Sequence, residues 1–215
     1  MKHNLYYTEE LLRELDSFYA EPVKGIKKLM DEARGTGGVN PSVDYRTGGM
    51  LKFLAGLKRP ETVLELGTCI GVSAIIMASC ESVKELVTVE LREDLAERAR
   101  LNVERFGLTG KVTVICGDAA DVCEGLKGER MFDMIFQDAS KKSYPLLHET
   151  LVSLLSPGGL LVVDDVFLSM AEFPPNVRGV DKAVKTHNEL IKNDSRLESV
   201  MIPLSHGIIA AVKRG

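Results

Sequence analysis

From Pro60 to Val163 the chain alternates short apolar runs with amphipathic stretches, joined by connections of a few residues. The runs are Val63-Leu64-Glu65-Leu66, Leu86 to Glu90, Val112 to Cys116, Phe132 to Phe136 and Leu160 to Val163. Segments this short and this apolar predict strands covered on both faces. Between them, Gly71 to about Ser79, Arg92 to Phe106, the stretch after Asp118 and about Tyr144 to Leu155 read as helices, the last ended by Ser156-Pro157-Gly158-Gly159. Such alternation predicts an α/β fold, a doubly wound parallel sheet with right-handed crossovers. The rhythm breaks after a long helix from about Val177 to Lys192. Leu197 to Ile202 and Ile208 to Val212 are joined only by Pro203 to Gly207, too short for a parallel return, so they predict an antiparallel C-terminal hairpin.

Ahead of the sheet, residues 8 to 19 carry Leu11, Leu12, Leu15, Phe18 and Tyr19 at helical spacing, with Thr8 as N-cap. Pro22 is placed to open a second helix at its first turn, with Val23, Ile26, Leu29, Met30 and Ala33 inward. That helix stops at Gly35-Thr36-Gly37-Gly38, a loop that reads equally as a lid or as a plain connection. A third helix, over about 44 to 57, turns Met50, Leu51, Leu54 and Leu57 inward. No linker or repeat interrupts the chain, so the expectation is one domain, with an N-terminal helical cap over 1–58 and a core over 60–215.

A formal net charge of -4 gives no basic footprint of the kind nucleic-acid binders carry. The four cysteines (Cys69, Cys80, Cys116 and Cys123) form no CxxC pair, which argues against zinc and a disulfide framework and for buried reduced thiols. Met1-Lys2-His3-Asn4 leads into an amphipathic stretch without an apolar leader core, and no apolar run approaches the ~18 residues of a membrane helix. These features predict a soluble, cytoplasmic protein with no membrane partner.

The chemistry gathers where the strands end, the edge at which open α/β sheets bind ligands. The first strand runs into Glu65-Leu66-Gly67-Thr68-Cys69-Ile70-Gly71-Val72-Ser73. Its glycines let a ligand approach the backbone, and the following helix offers free N–H groups, although tight strand–helix turns use glycine structurally as well. The spacing is GxxxG rather than GxGxxG, and an acid precedes it, so a ligand with a carboxylate and an amine fits better than a pyrophosphate. Ser73 and the loop amides suit the carboxylate, and Glu65 the ammonium. Glu90, ending the second strand, suits ribose hydroxyls. Gly117-Asp118-Ala119 suits an adenine edge, while Asp118 also reads as a plain helix N-cap. The fourth strand delivers Asp138 and, three residues on, Lys141; the fifth ends in Asp164-Asp165. Three strand-end acids repel one another unless a positive charge lies between them. A hard divalent cation with oxygen ligands meets that need, Mg²⁺ first and Ca²⁺ or Mn²⁺ next; a solvated acidic turn is the bland reading.

These motifs, in this order, resemble the metal-dependent class I O-methyltransferases, the group of catechol and caffeoyl-CoA O-methyltransferases and their bacterial relatives. The likeness spans about residues 40 to 213. It rests on Glu65 to Ser73, Gly117 to Ala119, the run from Phe132 to Tyr144, Asp164-Asp165, and Thr47-Gly48-Gly49-Met50-Leu51 in the third helix. The resemblance implies a Rossmann-like, seven-stranded, mostly parallel sheet and S-adenosylmethionine as methyl donor. By position, Val43, Glu65, Gly67, Thr68, Gly71, Ser73, Glu90, Asp118, Ala119 and Asp138 would line the donor. Asp138, Asp164 and Asp165 would hold the metal, and Lys141 would be the base. The chain departs from the family where Asp165 replaces a usual Asn, Leu147 a frequent Tyr and His187 a usual Phe, and where Ser205-His206 replaces Gly-Asp.

The expected activity is therefore O-methylation of a small hydroxylated aromatic, a catechol-like or phenolic acceptor. Lys141 as a mere salt-bridge partner of Asp138 is the alternative at that position. A tRNA wobble hydroxyuridine is the second acceptor class, with Lys24, Lys27, Lys28, Arg34 and Arg46 as a local basic face. An NAD-dependent oxidoreductase and a non-catalytic nucleoside-binding protein are the remaining rivals. The resemblance also implies a homodimer. The acceptor pocket is expected to involve the N-terminal arm and the loop from Val166 to Arg178.

Overall fold

The computed structural model describes residues 9–18, 21–35, 43–170 and 179–215. Seven strands form one sheet: β1 (Thr62–Leu66), β2 (Glu85–Glu90), β3 (Val112–Cys116), β4 (Phe132–Gln137), β5 (Leu155–Val163), β6 (Leu197–Ile202) and β7 (Ile208–Lys213). Their spatial order is β3-β2-β1-β4-β5-β7-β6, with β1 to β5 parallel and β7 antiparallel to both neighbours. The chain therefore moves outward from β1 in one direction, then restarts on its other side at β4. Between β1 and β4 lies the switch point at which such sheets open a crevice.

The described residues also form eight α-helices: α1 (Glu9–Phe18), α2 (Ile26–Gly35), α3 (Tyr45–Lys58), α4 (Val72–Ala78), α5 (Glu93–Arg105), α6 (Ala119–Leu126), α7 (Tyr144–Leu154) and α8 (Val180–Asn193). Successive strand residues point to opposite faces and so feed two cores. On one side Val63, Met134, Phe136 and Val162 pack with residues of α2, α3, α4 and α5. On the other, Leu64, Leu66, Ile135 and Leu161 pack with α7 and α8, and with Cys123 of α6. None of the described helices is long and apolar enough to cross a membrane. All four cysteines are free, but only Cys123 is fully buried, so the expectation of buried thiols holds for one of them.

The elements depart from expectation in three places. Pro22 does not open α2, which starts at Ile26; Glu21 Oε1 accepts from Gly25 N and Lys27 N (3.0 and 2.7 Å) and so caps the helix from farther back. The buried stripe of α3 is Thr47, Gly48, Leu51 and Ala55, which leaves Leu57 exposed. A Cβ on Gly48 would lie 2.9 Å from Ile76, so the helix approaches α4 along that stripe, while Met50 and Leu54 pack at its margin and Leu57 does not. Ser156-Pro157-Gly158-Gly159 is not a turn before a strand but the irregular start of β5, whose pairing jumps from Phe132↔Leu155 to Met134↔Leu160. A bulge tolerates the proline because the displaced residues need no ladder donor. Thr8, Tyr19, the loop at 36–42 and residues 171–178 lie outside the described residues, and with them the N-cap, the lid candidate and most of the Val166–Arg178 loop.

Within β1, Glu65 is a fully buried carboxyl. Thr88 Oγ1 reaches its Oε2 at 2.5 Å. Burial pushes the carboxyl up to about 8; the Ser73 and Thr88 hydroxyls pull it back, while Asp138 and Glu90 add to the rise. Glu65 thus keeps its proton when folded across a range where the unfolded chain has lost it. The folded state binds the extra proton between about pH 4.5 and 8, so this group's contribution to stability is full at the acid end and declines as pH rises to about 8. Glu65→Gln removes that decline. The variant's Tm minus the wild-type Tm, followed by calorimetry, is expected to grow steadily from pH 5 to pH 8; a difference flat with pH would show that Glu65 is ionised in the folded protein.

Candidate active site

Gly67 follows β1 with φ +96°, and a Cβ there would stand 2.5 Å from the Asp138 carbonyl oxygen. Only glycine lets these two strand ends lie flush. Gly67 N donates to Val89 O and Asp138 N to Leu66 O (2.9 and 2.8 Å), so the ends of β2, β1 and β4 are tied at one height. Glu90 completes the edge: Oε2 accepts from Cys69 N and Oε1 from Arg92 N (2.8 and 3.0 Å). Both oxygens are anchored by backbone, which fixes the carboxylate without using all its lone pairs.

A cleft of about 550 Å³ opens above this edge, and Gly67, Glu90, Asp118, Ala119 and Asp138 of the expected donor residues line it. Asp118 lines the cleft and is the N-cap of α6, its side chain accepting from Ala120 N at 2.7 Å. Val43, Glu65, Thr68 and Ser73 are buried behind the wall rather than in it, and Gly71 is the N-cap of α4. The Thr68 hydroxyl bonds that of Thr88, which joins it to Glu65. Sequence reasoning passed over Leu91, Ser140 and Leu146, which also line the cleft. Leu91, next to the strand-end acid Glu90, is a large apolar residue left exposed, and that adjacency was the available signal.

Past the cleft, Asp138, Asp164 and Asp165 converge. Lys141, on a single 3₁₀ turn (Lys141–Ser143), bonds Asp138 Oδ1 and reaches Asp165 Oδ2 at 2.9 Å. Burial opposes the lysine's charge, but Tyr144, Asp138 and Asp165 outweigh it and hold the ammonium well above its usual range. Asp164 is pushed up to about 8 by burial and by its two acidic neighbours. Asp165 adopts φ +60°, its N–H donates to Asp164 Oδ1 (2.8 Å), and its Oδ1 meets His206 Nδ1 at 3.0 Å. Tyr144, fully buried, places its hydroxyl 3.1 Å from Gln137 O and 3.2 Å from Asp164 O.

The three aspartates are not drawn into a tight cage: the ammonium of Lys141 pairs with two of them. Among the described residues, the trio of acids and histidines whose donor atoms lie within 4.8 Å of one another is His148, Glu149 and Asp194, away from the strand ends. Arg196 already bonds both carboxylates there, and His148 Nε2 meets Asp194 at 2.9 Å, so that trio is a closed ion-pair network. His187 stacks obliquely on Tyr144 (ring centroids 5.2 Å apart), and burial, aided by His148, lowers it to about 3. It fills an aromatic slot as a neutral ring, and Leu147 is buried beside it on α7.

A family model described as O-methyltransferase matches residues 18–214. The catechol O-methyltransferase of Niastella koreensis is 38% identical over 128 residues, a match that spans 58% of each chain. A protein of Mycolicibacterium smegmatis, whose name assigns it provisionally to the O-methyltransferases, is 31% identical over 83% of this chain and 84% of its own. Among solved structures, the O-methyltransferase TomG of Streptomyces achromogenes, involved in tomaymycin synthesis and determined in complex with SAM, superposes with TM-score 0.82 at 26% identity, over 96% of each chain. A dehydrogenase or a non-catalytic nucleoside binder accounts for none of this. With its switch-point cleft, its anchored strand-end acids and a family match over nearly its whole length, the chain belongs to the family of S-adenosylmethionine-dependent O-methyltransferases.

Proposed function

We propose that the chain moves the sulfonium methyl group of S-adenosylmethionine to a hydroxyl oxygen of a small catechol-like or phenolic acceptor, with a divalent cation, Mg²⁺ first, at the acidic cluster. The observation that carries this reading is the meeting of Asp138, Asp164, Asp165 and Lys141 at the ends of β4 and β5, on the rim of the cleft. The likeness to the Niastella catechol O-methyltransferase supports the acceptor class.

In this reading Glu90 presents its anchored carboxylate to the ribose hydroxyls, and Asp118 and Ala119 meet the adenine edge, with Leu91 and Leu146 offering apolar surface to the base. The β1–α4 loop, with Gly67, Thr68, Gly71 and Ser73, takes the methionine portion, backed by Glu65 and Val43. The donor set of the cluster fits a hard cation: it is oxygen-only, and one ammonium leaves Asp164 still displaced to about 8. Asp138, Asp164 and Asp165 would hold the ion, which supplies Lewis acidity that lowers the pKa of a chelated hydroxyl. As it stands Lys141 is an ammonium, not a base. Its base role would require that charge to be released: Asp138 and Asp165 hold the ammonium, and a cation held by the same carboxylates would weaken that hold. Orienting the two substrates across the rim contributes the larger share, an effect of up to ~7–11 kcal/mol.

The tRNA reading is not favoured. Acidic partners interleave the basic residues around α2, with Lys28 and Arg105 on Glu32 and Arg34 on Asp31, so no uniform positive face forms. A methylation assay against a catechol panel and hypomodified tRNA separates the two directly, and methyl transfer to the catechols is expected. Lys141→Ala and Asp138→Ala are each expected to lower turnover by ~10²–10⁴-fold, the range for losing a general base. For Lys141→Ala, calorimetric affinity for S-adenosylhomocysteine should stay within a few-fold of wild type. Chelation with EDTA, with metal loss verified, is expected to abolish transfer, and added Mg²⁺ to restore it. Full activity in the stripped protein would sink the metal role while leaving the donor reading intact.

A further inference from the structure

The turn between β6 and β7 (residues 203–207) sits on the acidic cluster and is tied down on two sides. Its backbone accepts from Val166 N at Gly207 O (3.1 Å) and from Phe167 N at His206 O (2.8 Å). Gly207 has φ +87°, and a Cβ there would lie 2.5 Å from the Phe167 ring, so ring and turn pack flush. Ser205 Oγ lies 2.7 Å from Asp44 Oδ2, while Asp44 Oδ1 accepts from Thr47 N and caps α3. One residue on, His206 Nδ1 meets Asp165 Oδ1 at 3.0 Å, and Asp165 Oδ2 holds Lys141. The result is one unbroken path: the N-terminus of α3, Ser205, His206, Asp165, Lys141, Asp138.

Two members of this path, Asp165 (φ +60°) and Ser205 (φ +51°), lie in the left-handed region. A non-glycine residue in the left-handed region costs of order 1 kcal/mol or more and persists only when its surroundings hold it there. At Asp165 the backbone is held by its N–H on Asp164 Oδ1 and by Leu168 N on its carbonyl, while two side chains anchor the carboxylate, one on each oxygen. Lys141 is largely buried, whereas His206 is 73% exposed and has no packing role of its own. Its imidazole contributes the hydrogen bond and little else. Because Asp165 accepts, Nδ1 carries the proton whatever the charge on the ring.

We propose that His206 is a positioning residue for the methyl transfer. By donating from Nδ1 to Asp165 Oδ1 it fixes the orientation of Asp165, and through it Lys141, at the place where the acceptor hydroxyl reacts. Ser205, bonded to Asp44, holds the turn that carries it. The proposal rests on the enzymatic reading given above. It differs from that reading in assigning a role to a surface side chain outside the acidic cluster and the donor cleft.

Steady-state kinetics with the best acceptor of the catechol panel test it. His206→Ala is expected to lower kcat by about 10- to 100-fold, the usual effect of losing a group that orients a functional carboxylate. KM for S-adenosylmethionine and Tm should stay near wild type. His206→Asn, whose amide N–H occupies the place of Nδ1–H, is expected to recover most of kcat. His206→Gln, which offers its N–H at the place of Nε2, is not. Crystal structures of the Ala and Asn variants add an arm that needs no turnover: the Asp165–Lys141 contact is expected to open in the first and to persist in the second. Wild-type kcat in His206→Ala, or no recovery in His206→Asn, overturns the proposal, and so does an unchanged Asp165–Lys141 contact in the Ala variant. If wild-type protein methylates no acceptor while the contact responds as expected, the enzymatic reading fails and the positioning of Asp165 by His206 stands.

Discussion

The approach of Gly67 to the Asp138 carbonyl governs the architecture of the site. A side chain at position 67 would collide with backbone, not with another side chain that could rotate away. Because the two strand ends touch, the loop that shapes the cleft and the strand that carries the acid share one wall. The hydrogen bonds on either side, from Gly67 to β2 and from Asp138 to β1, extend the constraint across three strands. Donor cleft and acidic cluster are thus not two sites that happen to be near. They are two faces of a single sheet edge, and their separation follows from strand register.

That edge is electrostatically expensive. Glu65 and Asp164 both sit near 8, each through burial and the company of other acids, and Lys141 is held as an ammonium that partly balances them. A sheet edge of this kind lowers folding stability near neutral pH, since buried acids that keep protons oppose the unfolded chain's preference. Perturbed acids gathered beside a cleft are the pattern expected of a working site rather than of a surface turn. The network of Arg196, Asp194, Glu149 and His148 makes the contrast. There the acids are matched by a guanidinium, and Asp194 is held well below the usual carboxylate range, chiefly by Arg196.

Most of this was legible from residue order alone. Buried strands announce themselves as apolar runs, and the acids at their ends stand out because the interior tolerates no charge without a reason. What stayed hidden depends on contacts between residues far apart in sequence. Nothing in Ser156-Pro157-Gly158-Gly159 tells that β4 will capture it as a bulged strand. The face of α3 is chosen by Ile76 pressing on Gly48, not by the helix's own pattern. Likewise, Asp165 for Asn and His206 for Asp looked like two separate departures from the family. In the fold they are partners in one hydrogen bond, so the extra acid arrives with its own donor. The role of Lys141 was hidden in the same way, since its charge is held by Tyr144 and Asp138 and also by Asp165, from the next strand.

Tyr144 shows how packing far from the edge reaches it. Its hydroxyl lies near the carbonyls of Gln137 and Asp164, the last residue of β4 and the first beyond β5, and a single proton serves both. Those carbonyls belong to the backbone that aims Asp138 and the Asp164-Asp165 pair, so the spacing between the acids depends on where the phenol stands. The phenol in turn is fixed by α7 and α8, with His187 against its ring and His148 edge-on behind. Burial keeps His187 neutral down to about 3, so the ring packs against Tyr144 without a charge that would need solvating. The spacing of the acids is thus set from the helix layer, and the hydrogen bond from His206 sets the orientation of Asp165 from the opposite side.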